Sequence, residues 1–253
     1  MRGPKPTNKI LIALLFWDGD KALAMRLAKL LADLEPGHSD QADFLFVPRF
    51  DCRWDDRMVK YVARKFNTFT HVSKRRGVGW PLGCNGLFFG MSEWVFHKME
   101  SGQIPNYKAI YVMGADGVPF RQDWISYLHR EWDAANSKKK IYMAGALILD
   151  EHTDRGNDHI NGDCALLSGD LKFFRWIVRD VRDVSTPAGW DWILAKDFKT
   201  WGWSGFSGIK SHWRRPDLTE AEWDAEIADG TVWLHGVKND SLINIARKKL
   251  FSI

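Results

Sequence analysis

Lys108-Ala-Ile-Tyr-Val-Met-Gly-Ala-Asp-Gly-Val-Pro-Phe-Arg121 is the stretch on which the reading of the chain turns. Residues 109–113 are apolar and rich in β-formers, and the run stops at Gly114-Ala-Asp-Gly117 with Pro119 close behind. The pattern predicts a buried strand that delivers one carboxylate, Asp116, into a loop at its carboxyl end. In open α/β sheets ligands lie outside the carboxyl ends of the strands, so a lone acid there is a site candidate. Asp-Gly is also ordinary turn chemistry, and the segment alone does not separate the two readings.

Working outward, residues 9–16 form a continuous apolar run, as in a strand buried on both faces of a parallel sheet. Leu23, Leu27, Leu30, Leu31 and Leu34 repeat at helical spacing, and 43–47 is a second strand. This β-α-β unit leads to a doubly wound sheet. Further helices are expected near 58–66, 86–99, 123–136, 171–184, 189–198, 220–227 and 241–250. Further strands are expected at 69–72, 141–149 and 159–167, with a late strand or loop at 231–238. Residues 201–209 read as a loop or short strand. No repeat, low-complexity tract or linker interrupts the chain, so one α/β domain over 1–253 with a less regular C-terminal half is expected.

The 253 residues are 45% hydrophobic and 27% charged, the composition of a globular protein. Such a chain buries roughly 70–75% of its unfolded surface and needs no covalent staples. Cys52, Cys84 and Cys164 are odd in number and match no paired metal spacing, which points to buried thiols in a reducing compartment. Residues 10–17 are too few to span a membrane, and no small-residue cleavage site follows them, so a cytoplasmic protein is expected. Fourteen Trp are too many to bury completely, so some are expected to line a binding surface. A net charge of +4 suits an anionic ligand without demanding nucleic acid.

Three α/β chemistries lack their signatures. Neither G-x-G-x-x-G nor G-x-x-x-x-G-K-[ST] follows the first strand, and there is no G-x-S-x-G elbow.

Ile110-Tyr-Val-Met-Gly-Ala-Asp-Gly-Val-Pro119 resembles the Asp-x-Asp segment of the GT-A family of nucleotide-sugar glycosyltransferases, with Asp116 as the second acid and Gly114 in place of the first. Gly77-Val-Gly-Trp-Pro-Leu-Gly-Cys-Asn85 is similar to the family's Gly-rich stretch ending in Asn. Ile160-Asn-Gly-Asp-Cys-Ala-Leu-Leu167 is similar to its Asn/Gly segment, and Gly189-Trp-Asp-Trp192 is placed like the acidic pair that opens the acceptor-side helix. Leu234-His-Gly-Val-Lys238 resembles the His- and Lys-containing motif of glycogenin-type members.

The resemblance implies a GT-A-like, Rossmann-like domain whose mostly parallel central sheet is flanked by helices. A nucleotide-sugar half at about 9–120 would precede an acceptor half at about 121–253. It implies a UDP-sugar co-substrate and Mn²⁺ or Mg²⁺ held by Asp116 and His235, with Lys238 beside the diphosphate. Phe16, Asp18, Arg49 and Asp51, at the ends of the first two strands, would hold the nucleoside, with Arg76 and Asn85 completing the donor site. Lys74 and Arg75 are further phosphate candidates. Asn161, Gly162, Trp190 and Trp192 would face sugar or acceptor. Asp191 is a general base if transfer inverts the anomeric centre and an acceptor-binding acid if it retains it.

Each assignment has a plainer counterpart: Asp18 as a helix N-cap, Asp191 as a favourable acid in a first helical turn, His235 packed beside Trp233, and Lys74-Arg-Arg76 as a solvated face. The acceptor is a glycan or a hydroxylated base in DNA. Two rivals stand beside this reading. One is nucleic-acid binding through Lys210-Ser-His-Trp-Arg-Arg215 without enzymatic activity, and the other is a sugar nucleotidyltransferase.

Overall fold

The computed structural model describes residues 6–53, 56–149, 158–181, 188–215, 217–237 and 239–251, with only the backbone of 213–215. β1 (Ile10–Phe16), α1 (Lys21–Leu34) and β2 (Ala42–Pro48) form the first parallel unit. α2 (Asp56–Val62) leads to β3 (Asn67–Thr70) on the outer side of β2. The chain then reverses direction across the sheet. α3 (Leu82–Glu100) carries it back to β4 (Ala109–Met113), which pairs with the other side of β1. The switch point therefore lies between β1 and β4, and the quoted segment emerges at its carboxyl end.

Beyond β4 come β5 (Gly117–Pro119), α4 (Trp124–Lys138), β6 (Met143–Ile148) and β7 (His159–Ser168). α5 (Leu171–Trp176) runs into a π-helical turn at Ile177–Val181. α6 (Trp190–Ile193), α7 (Ala195–Trp201), β8 (Trp203–Gly205), β9 (Ile209–Arg215), α8 (Glu220–Ala228), β10 (Trp233–Val237) and α9 (Ser241–Leu250) follow. The main sheet has the order β3-β2-β1-β4-β7-β6-β8 and is mostly parallel, with β7 antiparallel to both its neighbours. A second sheet has the order β5-β10-β9.

Strand alternation builds a core on each face of the main sheet. Ile10, Ile12, Leu14 and Phe16 pack with Leu27, Leu31, Trp124 and Leu242, under α1, α4 and α9. Leu11, Ala13 and Leu15 pack with Phe88, Phe96 and Phe173, under α3 and α5. Each Ile, Leu or Phe among them contributes roughly 1.5–3 kcal/mol on burial. Among the described residues, the Trp at 124, 132, 190, 223 and 233 are core residues. Among the described residues no helix is long and apolar enough to cross a membrane.

Several expectations are corrected. Residues 117–119 form a strand, not only a turn. Pro119 is tolerated because β5 is an edge strand and loses no ladder bond that it needs. Residues 209–215 are a strand that the polar sequence did not announce. The helix expected at 189–198 breaks at Leu194 into α6 and α7. The one expected at 171–184 is α-helical only to Trp176, and its last three residues lie outside the described ones.

Candidate active site

Two sheets meet where β4 ends. Gly114, Ala115 and Asp116 carry the chain from the main sheet into β5, and β5 pairs with β10 so that Gly117 faces His235. The Asp116 carbonyl accepts the Gly236 N–H at 3.0 Å, and its carboxylate Oδ1 lies 3.2 Å from His235 Nε2. Ser211 Oγ on β9 stands 3.0 Å from His235 Nδ1 and orients the ring, leaving Nε2 toward the acids. Both Asp116 and His235 are buried. Gly117 is required here for space, because a Cβ would lie 2.8 Å from Trp233 Nε1.

A second carboxylate reaches the same imidazole. Asp163 Oδ2, on β7, is 3.5 Å from His235 Nε2, and its side chain is 40% exposed where that of Asp116 is 5%. Sequence reasoning quoted Asp163 within its segment but gave it no role, because only the antiparallel register of β4 and β7 brings it here. Cys164, fully buried behind it, has its thiol pushed well above the usual range. Burial is the main cause, and the charges of Asp163, Asp191 and Asp116 act in the same direction. Among the described residues no three His, Cys, Asp or Glu side chains are already gathered as a metal cage.

On the acceptor side, Asp191 is tied to β7. Its Oδ2 accepts the Gly162 N–H at 2.8 Å and its Oδ1 accepts the Trp192 N–H at 3.0 Å. Asn161 Oδ1 accepts the Asp163 N–H at 3.1 Å, shaping the same turn. Asn85 is buried, and both ends of its amide bond backbone. Its Oδ1 accepts the Trp190 N–H at 2.8 Å and its Nδ2 donates to the Ala188 carbonyl at 3.1 Å, so it pins the start of α6 onto α3. Trp190 is corrected, because it is buried and stacks on Phe88 with centroids 3.6 Å apart, leaving no open platform. Trp192 is half-buried, with its indole Nε1 enclosed and without a hydrogen-bond partner among the described residues.

At the end of β1, Phe16 faces the core, being on the same side of the strand as Ile12 and Leu14, and cannot stack on a base. The aromatic available there is Trp17, which is 44% exposed and beside the Arg49 guanidinium at 5.1 Å. Arg49 is buried and grips Asp51 with two hydrogen bonds, Nε to Oδ1 at 2.7 Å and an NH2 to Oδ2 at 2.5 Å. Those bonds hold the Asp51 carboxyl below and the Arg49 guanidinium above their usual ranges. Asp18 is exposed and starts a short 3-10 turn, so it does not cap α1, whose N-cap is Asp20. Lys74 and Arg76 are exposed, whereas Arg75 pairs with Glu93 at 2.6 Å. Lys238 lies outside the described residues.

Two other features are committed to structure. In the stretch read for nucleic-acid contact, Lys210 pairs with Glu226 at 3.2 Å and His212 with the same acid at 2.8 Å. A cleft of ≈ 320 Å³ at the amino ends of β1, β2 and β4 is lined by charges such as Lys108 and Asp133 that already pair at 2.6 Å.

No protein-family model and no curated protein sequence matches the chain. Solved structures do. The apo structure of the bifunctional glycosyltransferase WbbM matches with TM-score 0.58 and 9% identity, over 97% of this chain and 50% of that one. The glycosyltransferase GlyE of Streptococcus pneumoniae TIGR4 matches with TM-score 0.53 and 10% identity, over 98% and 61%. The galactosyltransferase LgtC, in complex with donor and acceptor sugar analogues, matches with TM-score 0.53 and 12% identity, over 96% and 97%. The chain thus spans about half of WbbM and nearly all of LgtC. At these identities the likeness is one of fold, and the fold is the GT-A-like one of these glycosyltransferases.

Proposed function

We propose that the chain is a glycosyltransferase that moves a sugar from a nucleotide-diphosphate donor, a UDP-sugar, to an acceptor hydroxyl with the help of Mn²⁺ or Mg²⁺. The observation that carries this is the approach of Asp116 Oδ1 to His235 Nε2, 3.2 Å apart at the carboxyl end of β4. Two adjacent ligands of one octahedral ion, each at about 2.1 Å, stand about 3 Å apart, so the pair fits a cation held from one side. Carboxylate oxygen and imidazole nitrogen suit such an ion. When bound there, a divalent cation supplies Lewis-acid stabilisation of the charge that grows on the leaving diphosphate.

The chain's own groups do the rest. Trp17, with the Arg49–Asp51 pair beside it, receives the nucleoside. Lys74 and Arg76 supply exposed positive charge near the Gly-rich loop. Asn161, Gly162 and Trp192 border the sugar. Asp191, fixed by the backbone of Gly162 and Trp192, takes the acceptor proton if transfer inverts and binds the acceptor if it retains.

The test is turnover. Purified protein with Mn²⁺ is expected to hydrolyse slowly at least one sugar in a UDP- and GDP-sugar panel, and Asp116→Ala is expected to abolish it. Silence across the panel, with no thermal shift by any nucleotide sugar, overturns the reading. Pyrophosphate release from an NTP and a sugar phosphate replaces it with a nucleotidyltransferase.

A further inference from the structure

We infer that Arg49 is the positioning residue of the nucleoside site. It touches no part of the donor, and acts by holding the Trp17 ring, the Asp51 carboxylate and the start of α3 in one arrangement. This inference rests on the donor-site reading above and deepens it, by naming the group on which recognition of the nucleoside, as distinct from the diphosphate, depends.

The backbone of Arg49 is fixed where three parallel strands end. It follows directly on β2, its N–H donates to the Phe16 carbonyl at 2.9 Å, and its carbonyl accepts the Cys52 N–H at 3.0 Å. On the other side it bridges to Ser73, beyond the end of β3. The side chain is enclosed, 5% exposed where that of Asp51 is 37%. Its guanidinium is divided among three neighbours. Nε and Nη2 face the two Asp51 oxygens at 2.7 and 2.5 Å, and the guanidinium carbon lies 5.1 Å from the centroid of the Trp17 ring. Nη1 lies 3.1 Å from the place where a Cβ on Gly83 would stand, in the first turn of α3. One enclosed cation thus meets the ends of β1 and β2 and the helix that follows the Gly-rich loop.

The chemistry separates two tasks. A carboxylate has about four lone-pair directions and a bidentate guanidinium takes two, which leaves the others for an N–H on the edge of a base. Only a planar fork fixes the carboxylate in this way, since a lysine ammonium is a point charge on a flexible stem. A guanidinium that is enclosed and turned onto Asp51 is poorly placed to neutralise a diphosphate. Lys74 and Arg76, both exposed, are the groups that carry charge to the phosphates.

The experiment compares uridine with UDP by ligand-observed NMR titration, with Mg²⁺ present throughout. Guanosine and GDP replace them if the sugar panel selects a GDP-sugar. The proteins are wild type, Arg49→Lys, Gly83→Ala, Trp17→Ala and the double variant of Trp17→Ala with Arg49→Lys, each with a melting curve in the absence of ligand. Arg49→Lys keeps the charge and loses the fork. It is expected to weaken uridine and UDP by the same factor, about 2- to 10-fold, the part that a stacked aromatic contributes. Gly83→Ala adds one methyl 3.1 Å from Nη1 and otherwise no closer than 3.5 Å to its neighbours. Ala is the better helix former, so this variant is expected to keep its melting temperature while both affinities fall together. Should Arg49→Lys fail to fold, Gly83→Ala decides alone on the same comparison. In the Trp17→Ala background, Arg49→Lys is expected to cost less than in wild type, because part of its effect is already gone. If UDP loses far more than uridine, Arg49 binds phosphate, and the inference fails while the function stands. Unchanged uridine affinity in Arg49→Lys, or losses that add in full in the double variant, overturn it as well. If wild type binds neither nucleoside nor nucleotide, the donor reading itself fails, and this inference with it.

Discussion

Trp17 shows how much a single position decides. It follows directly on a strand whose last residue, Phe16, is sealed in the core, so the aromatic that meets solvent is displaced by one. Gly19 lets the indole lie close, since a Cβ there would fall 2.3 Å from Trp17 Cζ2. The buried Arg49 guanidinium lies over the ring, 5.1 Å from its centroid. An exposed ring fixed in this way is a stacking surface, and aromatic stacking contributes about 0.5–1.5 kcal/mol. Trp17→Ala is therefore expected to raise KM for the nucleotide sugar about 2- to 10-fold with kcat little changed. Steady-state kinetics on the donor found by the panel checks this, and an unchanged KM removes Trp17 from the donor site. The sequence could not choose between Phe16 and Trp17, because both are aromatic and the choice depends on strand phase. The same limit applies to Asp163, whose place beside His235 depends on a pairing register that no local pattern records.

β10 is the element on which the site's precision depends. It pairs antiparallel with β5 through Gly117–His235 and parallel with β9 through His235–Ser211, and its register slips between His235 and Val237. Gly236 occupies the slip with φ +114°, a conformation that side chains rarely adopt, and a Cβ there would lie 2.0 Å from the His212 carbonyl oxygen. Its N–H also holds the Asp116 carbonyl, so one residue fixes both candidate ligands. Gly236→Ala is expected to lower stability by about 1–3 kcal/mol through strain alone, and more if the backbone of β9 cannot yield. Urea unfolding checks it: the midpoint falls with the slope unchanged, whereas an unaltered midpoint shows that β10 can straighten. Much at this scale was legible in the sequence. The apolar runs at 9–16 and 109–113 and the leucine spacing of 23–34 yielded β1, β4 and α1, and the order of motifs grouped Asp116 with His235, which the structure brings within 3.2 Å. β5 and β9 were not legible, since three residues ending in Pro119 and a polar run from Lys210 are strands only through the partner they share. The backbone bonds of Asn85 were not legible either, because an Asn that holds a neighbouring segment's backbone has the same local sequence as one that faces a ligand.

For the molecule as a whole, acid is expected to act in two stages, both with the same sign. Burial is the main force holding the His71 and His129 imidazoles below the ordinary value of about 6.5. Around His71 the Gly90 backbone and Glu93 oppose that shift while Lys74 and Lys98 add to it. Around His129 the Gln41 carbonyl, Asp133 and Asp40 oppose it while Lys108 adds. The folded state therefore binds these protons less readily than the unfolded chain. Their stabilisation is complete above pH about 6.5 and is lost as the pH falls through their folded values. A second group acts lower. Burial pushes the carboxyls of Asp33, Glu226 and Asp170 up, but hydrogen bonds outweigh it and hold them low. The donors are Tyr61 and Lys29 for Asp33, Thr231, His212 and Lys210 for Glu226, and Lys140 with the Lys172 N–H for Asp170. Their contribution is present above pH about 4 and is lost below it. Glu35, raised mainly by burial, works the other way, but its effect lies above pH about 4.5, so it softens the first decline and leaves the second untouched. Melting temperature is thus expected to be level above pH 7, to decline as the pH falls below about 6.5, and to fall more steeply below 4. Replacing both histidines by Gln is expected to flatten the first decline and leave the second, because the neutral amide has no proton to gain. A melting temperature indifferent to pH between 7 and 5 in the wild type would show that neither imidazole is held neutral by the fold. An unchanged first decline in the double variant would assign that stage to other groups.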